Sequence, residues 1–151
     1  MEVTHSTFTL ERRYPAPVER VFEAWANPEA RRRWMAQGAE YSQNFVVDGH
    51  ETVKGLDPAG RALTYEARYV EILCNERILT TSTLHTEDRL STVSLTSVEF
   101  QAEDANTLVV LTEHGVYLPG QEQPEWREHG TAEQLDALAA EFAAVADATD
   151  E

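Results

Sequence analysis

The chain of 151 residues is predicted to form an α+β fold in which an antiparallel sheet packs against one long helix. Residues 124–146 place their apolar side chains three and four positions apart, which is the period of one helix face. Nearly all strand-like sequence precedes this segment, in runs separated by turns, which is typical of an antiparallel meander. A long helix that follows such strands must bury its apolar face against their sheet.

The first elements are predicted to be one strand and two short helices. Residues 7–14 alternate in polarity and end at Pro15, as in a strand. A helix follows over Pro17–Trp25, where apolar residues recur at helical spacing. The segment Asn27-Pro28-Glu29 then predicts a second helix start, because it supplies a side-chain cap, a first-position proline and a favourable charge. This second helix is expected to end near Gly38.

Arg12 lies on the face of the first strand that also carries Phe8, Leu10 and Tyr14, so its side chain is expected to point inward. A buried charge needs a partner of opposite sign. Two interpretations stay open: a structural ion pair, which is favoured, and a contact with a ligand.

Turn signals divide the central part of the chain into further strands, so the predicted sheet has about six to seven strands. Asp48-Gly49 and Asp57-Pro58-Ala59-Gly60 are two of these signals. The predicted strands are residues 39–47, 51–56, 62–73, 77–85, 90–101 and 107–116.

The long helix has two candidate starting points. Pro124 suits a first helical position, whereas Thr131 with Gln134 would form a capping box. The earlier start is favoured, with Gly130 as a point of close packing, and the residues after 146 are expected to be a polar, frayed tail. The predicted buried face consists of Leu135, Leu138, Ala139, Phe142, Val145 and Ala146.

The net charge of −15 disfavours nucleic acid and anionic membranes as partners, because such a surface repels phosphates. The charge is uneven: thirteen acids and a single base, Arg127, lie between Glu99 and the last residue. The acidic half is interpreted as a solvated surface. Alternatively, it docks a basic protein or opposes the arginine-rich start of the same chain.

A single cysteine, Cys74, excludes an internal disulfide and gives no indication of secretion. The first residues lack the pattern of a signal peptide, and no apolar run approaches the ~18 residues of a membrane span. We therefore expect one cytoplasmic domain over residues 1–151, without a domain linker.

Several segments together resemble one known family, across almost the whole chain from Phe8 to Phe142. The segments are R-x-Y-x-A-P at 12–17, V-F-E-A-W at 21–25, N-P-E at 27–29, Trp34, Y-E-A-R-Y-V-E-I at 65–72, N-E-R-I at 75–78, R-E-H-G-T at 127–131 and L-D-A-L-A at 135–139. The chain resembles the START-like, or SRPBCC, superfamily, in the branch named for its likeness to activators of the heat-shock-protein-90 ATPase. This resemblance implies a helix-grip fold, in which a curved sheet grips the long helix around an apolar cavity.

Candidate cavity residues follow from residue chemistry and from strand and helix faces. Tyr65 and Tyr69 share one face of a strand, where two phenols would orient a polar ligand group, although simple packing is an equal alternative. His114 on the last strand would serve as a base or hydrogen-bonding group, with a solvent-facing histidine as the favoured alternative. The expected cavity residues are Trp34, Tyr65, Tyr69, His85, Thr112, His114 and Trp126.

No metal or other cofactor is expected. Glu125 and His129 have a metal-binding spacing on the helix, but no third ligand stands near them. Cys74 lies in a turn without a neighbouring basic patch, so a nucleophilic role is not indicated. The sequence also lacks a glycine-rich phosphate loop and the G-x-S-x-G motif.

Three functions are compatible with the predicted fold and cavity. The favoured one is binding of a small hydrophobic molecule in the cavity. The second is a cyclase or hydrolase acting on such a ligand, with His114, His85 and the tyrosines as candidate groups. The third is interaction with a chaperone or client protein through the acidic surface, as fold-level likeness alone would suggest. Exposed aromatic residues near the helix ends also make a homodimer plausible.

Overall fold

The computed structural model describes residues 2–149, with side chains described up to residue 143. Seven strands, three α-helices and a π-helical turn make up this part of the chain. In chain order they are β1 (Thr4–Tyr14), α1 (Val18–Ala26), α2 (Pro28–Arg31), the π-helical turn (Arg32–Ala36), β2 (Glu40–Gln43), β3 (His50–Leu56), β4 (Ala62–Leu73), β5 (Arg77–Thr86), β6 (Arg89–Glu103), β7 (Asn106–Tyr117) and α3 (Pro124–Thr149).

The seven strands form one curved antiparallel sheet in the order β1-β7-β6-β5-β4-β3-β2. Strands β2 to β7 pair with their neighbours along the chain. β1 instead pairs with β7, from Thr4 opposite Tyr117 to Tyr14 opposite Thr107. With α3 and the short helices after β1, this arrangement confirms the predicted α+β helix-grip fold.

The short helices begin where the sequence predicts. Asn27 caps α2, since its side-chain oxygen accepts hydrogen bonds from the backbone N–H groups of Glu29 (2.9 Å) and Ala30 (3.2 Å). The helix then widens into the π-helical turn and ends at Gln37, which has a left-handed conformation. Trp34 in this turn is buried, and its indole N–H donates to the carbonyl of Ala24 at 2.9 Å.

The strand predicted over residues 39–47 is shorter than expected: β2 covers Glu40–Gln43, and residues 45–47 form a loop between β2 and β3. Asp48 takes a left-handed conformation with a φ of 68°, which breaks the extended backbone. The aromatic ring of Phe45 packs against Phe22 and Tyr69, with ring centroids 5.8 and 5.0 Å apart. Phe45 therefore fills a gap beside the core.

The long helix α3 begins at Pro124, as favoured, and the alternative start at Thr131 is wrong. Thr131 lies inside the helix and its hydroxyl donates to the carbonyl of Arg127 (2.8 Å). Gln134 donates instead to the carbonyl of Met35 (3.2 Å), so it is not part of a capping box. The helix extends to Thr149, beyond the predicted end at 146.

The buried face of α3 is narrower than predicted. Leu135, Leu138 and Phe142 are buried, whereas Ala139 is exposed. The side chains of the other two predicted members, at 145 and 146, lie outside the described residues, as do residues 150 and 151 of the predicted tail. The prediction of close packing at Gly130 is wrong, because a Cβ built there meets nothing within 4 Å.

Arginines near the start of the chain bind acids on α3. Arg12 Nε lies 2.9 Å from Asp136 Oδ1, which agrees with the favoured structural ion pair. Arg33 forms two hydrogen bonds with Glu141, at 2.7 and 3.1 Å. Part of the acidic half thus opposes the arginine-rich start of the same chain.

No helix in the described range 2–149 has the length and hydrophobicity that a membrane crossing requires. Cys74 is exposed and forms no disulfide, in the turn between β4 and β5.

We expect Asn27→Ala to lower the free energy of unfolding by about 1 kcal/mol, because the first N–H groups of α2 lose their acceptor. Urea unfolding followed by circular dichroism measures the change. The matched variant Asn27→Ser keeps a capping oxygen and should recover most of the loss. Equal destabilisation in both variants would contradict the capping role.

Candidate ligand pocket

A pocket of about 260 Å³ lies between the sheet, the π-helical turn and the first half of α3. Most of its lining is apolar, and five charged side chains complete it. The apolar and aromatic lining residues are Trp25, Trp34, Met35, Val53, Leu63, Tyr65, Tyr69, Ile78, Leu84, Val98, Leu111, Trp126 and Leu135. The charged ones are Arg31, Glu51, Glu113, Glu122 and Arg127.

The sequence of α3 explains why space remains under its first half. From Leu135 onward the helix presents large apolar side chains that pack into the core. One to two turns earlier, the same side of the helix presents Gly130 and Thr131, which line the pocket. Because Gly130 has no side chain, nothing from the helix fills the space in front of it. The change in side-chain size along α3 therefore leaves the pocket unfilled.

One wall of the pocket holds a buried ion pair between Arg31 at the end of α2 and Glu51 of β3. Arg31 Nε and Nη2 donate to the two Glu51 oxygens at 2.7 and 3.0 Å, a bidentate geometry. Glu51 is only 1% exposed and also accepts hydrogen bonds from the hydroxyls of Tyr41 and Tyr69. The Arg31 guanidinium lies 4.6 Å from the centroid of the Trp34 ring.

These contacts set the protonation of the pair. Burial alone would raise the Glu51 pKa, but the charge of Arg31 and three hydrogen bonds outweigh it and hold that pKa below its usual range. Burial opposes the charged form of Arg31 as well, yet Glu51 raises the Arg31 pKa overall. Burial beside Glu51 raises the pKa of Tyr41 and of Tyr69. The pair is therefore ionised, and both phenols stay neutral.

The second wall is built around Arg127 in the first turn of α3. Arg127 Nε lies 3.1 Å from Glu122 Oε1 and 3.6 Å from Glu113 Oε2. Glu113, on β7, also accepts from the hydroxyls of Thr96 (3.0 Å) and Ser94 (3.5 Å). Burial opposes the charge of Arg127, but the two glutamates outweigh burial and raise the Arg127 pKa.

Four of the seven predicted site residues line this pocket: Trp34, Tyr65, Tyr69 and Trp126. Tyr65 and Tyr69 share the inner face of β4, and Trp34 is buried beneath Arg31. Trp126 is 62% exposed, which places it at the pocket entrance. Their contact with a ligand stays a prediction.

The other three, His85, Thr112 and His114, lie outside the pocket, on the opposite face of the sheet. On β7 the residues Leu111 and Glu113 face inward, so Thr112 and His114 face outward.

Residues on the outer face of β1 contact the side chains of Thr112 and His114. Thr9 contacts Thr112 at 3.1 Å between hydroxyl oxygens, and Thr7 contacts His114 Nδ1 at 2.9 Å. His85 stands opposite Thr64, one position away from the inward pair of Leu84 and Tyr65. A shift of one residue in strand parity accounts for all three placements.

The charged residues of the pocket were absent from the predicted site. Glu113 is the neighbour of His114, and only one of the two can face inward on a strand. His114 is the one predicted from the sequence, because a histidine can act as a base. The sequence does single out Arg127, because it is the one base in the acidic half and therefore has several possible acidic partners. The partners of Arg31 and Glu51 come from different elements, so spacing along the chain gave no indication of this pair. Over the described residues, no cluster of three His, Cys, Asp or Glu side chains is arranged to hold a metal ion.

Comparison with protein families gives a match to the activator of Hsp90 ATPase homolog 1-like proteins over residues 15–143. The chain belongs to this family. The resemblance drawn from the sequence is thereby confirmed. No curated protein sequence matches the chain significantly.

Solved structures share the fold of this family member. A protein from Rhizobium leguminosarum is 36% identical, with a TM-score of 0.87 over 91% of this chain and 94% of that chain. A protein from Rhizobium loti is also 36% identical, with a TM-score of 0.87 over 93% of this chain and 99% of that one. A protein in the dynemicin biosynthetic locus is 15% identical, with a TM-score of 0.68 over 89% of this chain and 46% of its own, and is similar in fold alone.

We expect Arg31→Met to lower the free energy of unfolding at neutral pH by about 3–5 kcal/mol, because Glu51 remains buried without its partner. In the wild type, the depressed Glu51 pKa contributes stability above the usual carboxyl range, and this stability is lost as pH falls. In the variant, burial without Arg31 raises that pKa, so the sign reverses. Lowering the pH from about 7 to about 5 should then reduce the stability deficit.

Urea titrations across this pH range measure the effect. The control is the double variant Arg31→Met with Glu51→Gln, which removes the unpaired buried charge. Its stability deficit relative to the wild type should no longer change with pH in this way. Retention of the same pH dependence in the double variant would show that Glu51 is not its source.

Proposed function

We propose that this protein binds a small, largely apolar molecule in the pocket beneath α3. The observation that carries the proposal is the space of about 260 Å³ that the protein's own side chains leave between helix and sheet. Typical ligand pockets measure about 300–1,000 Å³ and combine an apolar lining with a few placed polar groups. The pocket volume is slightly below this range, which favours a compact ring system over a long acyl chain.

The exposed ring of Trp126 supports this proposal from the outside. Trp126 lines the pocket on the first turn of α3 and keeps most of its surface open to solvent. An aromatic side chain at an entrance provides a large apolar contact for a flat ligand. Trp126 also serves as an intrinsic fluorescent probe of binding. A homodimer through such exposed aromatic residues stays a prediction.

Binding is favoured over turnover because the inward groups that could act as a base are engaged or neutral. Burial raises the pKa of Tyr65 to about 12, so its phenol donates a hydrogen bond and does not act as a base near neutral pH. Glu113 is held by Arg127 and by two hydroxyls. The cyclase or hydrolase alternative rested partly on His85 and His114, and both stand away from the pocket.

The chaperone alternative rests on the family name and on the net charge of −15. It ranks below ligand binding, because Asp136 and Glu141 on α3 are already engaged by arginines of the same chain. Salt-sensitive stimulation of a purified Hsp90 ATPase by this protein would reverse the ranking.

Native mass spectrometry of the freshly purified protein tests occupancy. We expect a non-covalent adduct of small mass that disappears on denaturation, because the pocket exists only while α3 packs against the sheet. The adduct mass then constrains the ligand class. A protein that is bare both when fresh and after incubation with compact aromatic compounds would contradict the proposal.

Gly130→Leu should abolish binding of the neutral apolar dye N-phenyl-1-naphthylamine, because the new side chain projects into the pocket. Gly130→Ala is the matched control, since its Cβ meets nothing within 4 Å. The alanine variant should bind the dye and gain up to about 1 kcal/mol of stability, as alanine favours helices over glycine. Dye fluorescence and urea unfolding measure both effects. Equal dye binding by wild type and both variants would place the dye elsewhere.

A further inference from the structure

A buried hydrogen-bond donor in the pocket wall lacks a partner. Arg127 lines the pocket, and its Nε is engaged by Glu122 and Glu113. Its Nη2 is fully buried, yet no acceptor stands within hydrogen-bond distance among the described residues. A buried N–H of a charged group without an acceptor is costly, so such atoms are nearly always satisfied. Arg127 lines the pocket, so a small rotation of its guanidinium brings Nη2 to the side from which a ligand acceptor can approach.

The Tyr65 hydroxyl provides a second donor in the same pocket. Tyr65 lines the pocket from β4, as Arg127 lines it from α3. A tyrosine phenol is protonated near neutral pH, and burial raises the Tyr65 pKa further, so this hydroxyl donates. One atom with two lone pairs, such as a carbonyl oxygen, can accept from both donors.

The charges around Arg127 disfavour an anionic ligand. Arg127 carries one positive charge, whereas Glu113 and Glu122 together carry two negative charges. The Arg31–Glu51 pair on the other wall adds no net charge. A ligand carboxylate would therefore enter a site that already has an excess negative charge, in surroundings where screening by water is weak.

A cationic ligand is disfavoured for a different reason. Glu113 already accepts hydrogen bonds from Thr96 and Ser94, and Glu122 accepts from Thr92. Their oxygens are thus largely occupied, while the atom without a partner is a donor. Attraction of a cation to this region would leave the Nη2 atom of Arg127 unsatisfied.

We infer that the ligand presents a neutral carbonyl oxygen to Nη2 of Arg127, so that the pocket selects ketones, amides or esters over carboxylates and hydrocarbons of the same shape. This inference rests on the proposed binding function. It adds the chemical class of the ligand's polar group and the residue that recognises it. No chemical step is implied, since recognition requires only a hydrogen bond.

Three probes built on one naphthalene frame test the inference: 2-isopropylnaphthalene, 2-acetylnaphthalene and 2-naphthoate. Their substituents have the same branched shape but are apolar, carbonyl-bearing and anionic. Tryptophan fluorescence and calorimetry at neutral pH measure the three dissociation constants. We expect the ketone to bind about tenfold or more tightly than the hydrocarbon, because its oxygen pairs with a charged donor. The carboxylate should bind more weakly than the ketone.

Two variants assign these preferences to named atoms. Arg127→Lys keeps a positive charge between the glutamates but lacks the planar fork of N–H groups, so the ketone should lose most of its advantage over the hydrocarbon. Glu122→Gln removes one negative charge, so the affinity of naphthoate relative to the ketone should rise. Circular dichroism and thermal unfolding confirm that each variant is folded before binding is measured.

The outcomes separate this inference from the proposed function. Absence of binding by all three probes would overturn the binding function and the inference with it. Equal affinity for ketone and hydrocarbon would overturn the inference alone and show that Nη2 is served by water. Tightest binding by naphthoate would also overturn it, in favour of an anion site. Ketone selectivity that Arg127→Lys removes is the result that supports it.

Discussion

The buried ion pair between Arg31 and Glu51 is the contact on which the arrangement around the pocket depends. It joins the end of α2 to β3, and Glu51 also accepts hydrogen bonds from the hydroxyls of Tyr41 and Tyr69. Because Arg31 lies against the Trp34 ring, the pair also positions the π-helical turn. That turn contacts α3 through the carbonyl of Met35. Helix, turn and sheet are thus held apart at a defined spacing.

Ion pairs of this kind explain how a small protein keeps unfilled space beside its core. Apolar walls alone gain free energy by approaching each other, since dispersion and hydrophobic terms both favour close packing. The walls here carry Glu51 and Glu113, each held by an arginine. Moving either pair toward apolar side chains would remove hydrogen bonds without replacement, which is costly. The pocket is therefore stabilised by polar contacts that need a fixed geometry.

Local signals account for what the sequence predicted well. The cap at Asn27 and the start of α3 at Pro124 depend on side-chain chemistry within a few residues. The bounds of β4 follow from turn residues at both of its ends. The second strand ends earlier than predicted, because the apolar run at residues 45–47 fits a strand and a core loop equally well. Contacts of Phe45 with distant aromatic residues decide between the two, and these contacts are not visible in the sequence.

The site was only partly predictable for a related reason. Strand parity is absolute: a shift of one residue exchanges Glu113 for His114 at the pocket. The sequence shows which residues share a face, as for Tyr65 and Tyr69, but the packing of α3 decides which face is inner. Pairing between Arg127 and Glu113 joins a helix to a strand, so periodicity within either element gives no indication of it.

The pairing of β1 with β7 has a consequence for how the chain reaches this structure. β1 is the first strand along the chain, yet its ladder partner β7 is the last. During synthesis, β1 therefore emerges long before any strand that it can join. The meander from β2 to β7 can form from local hairpins, whereas addition of β1 requires a long-range contact, which slows folding. Until then, β1 and the free side of β7 are unpaired edges, so the interval before closure is when self-association competes with folding.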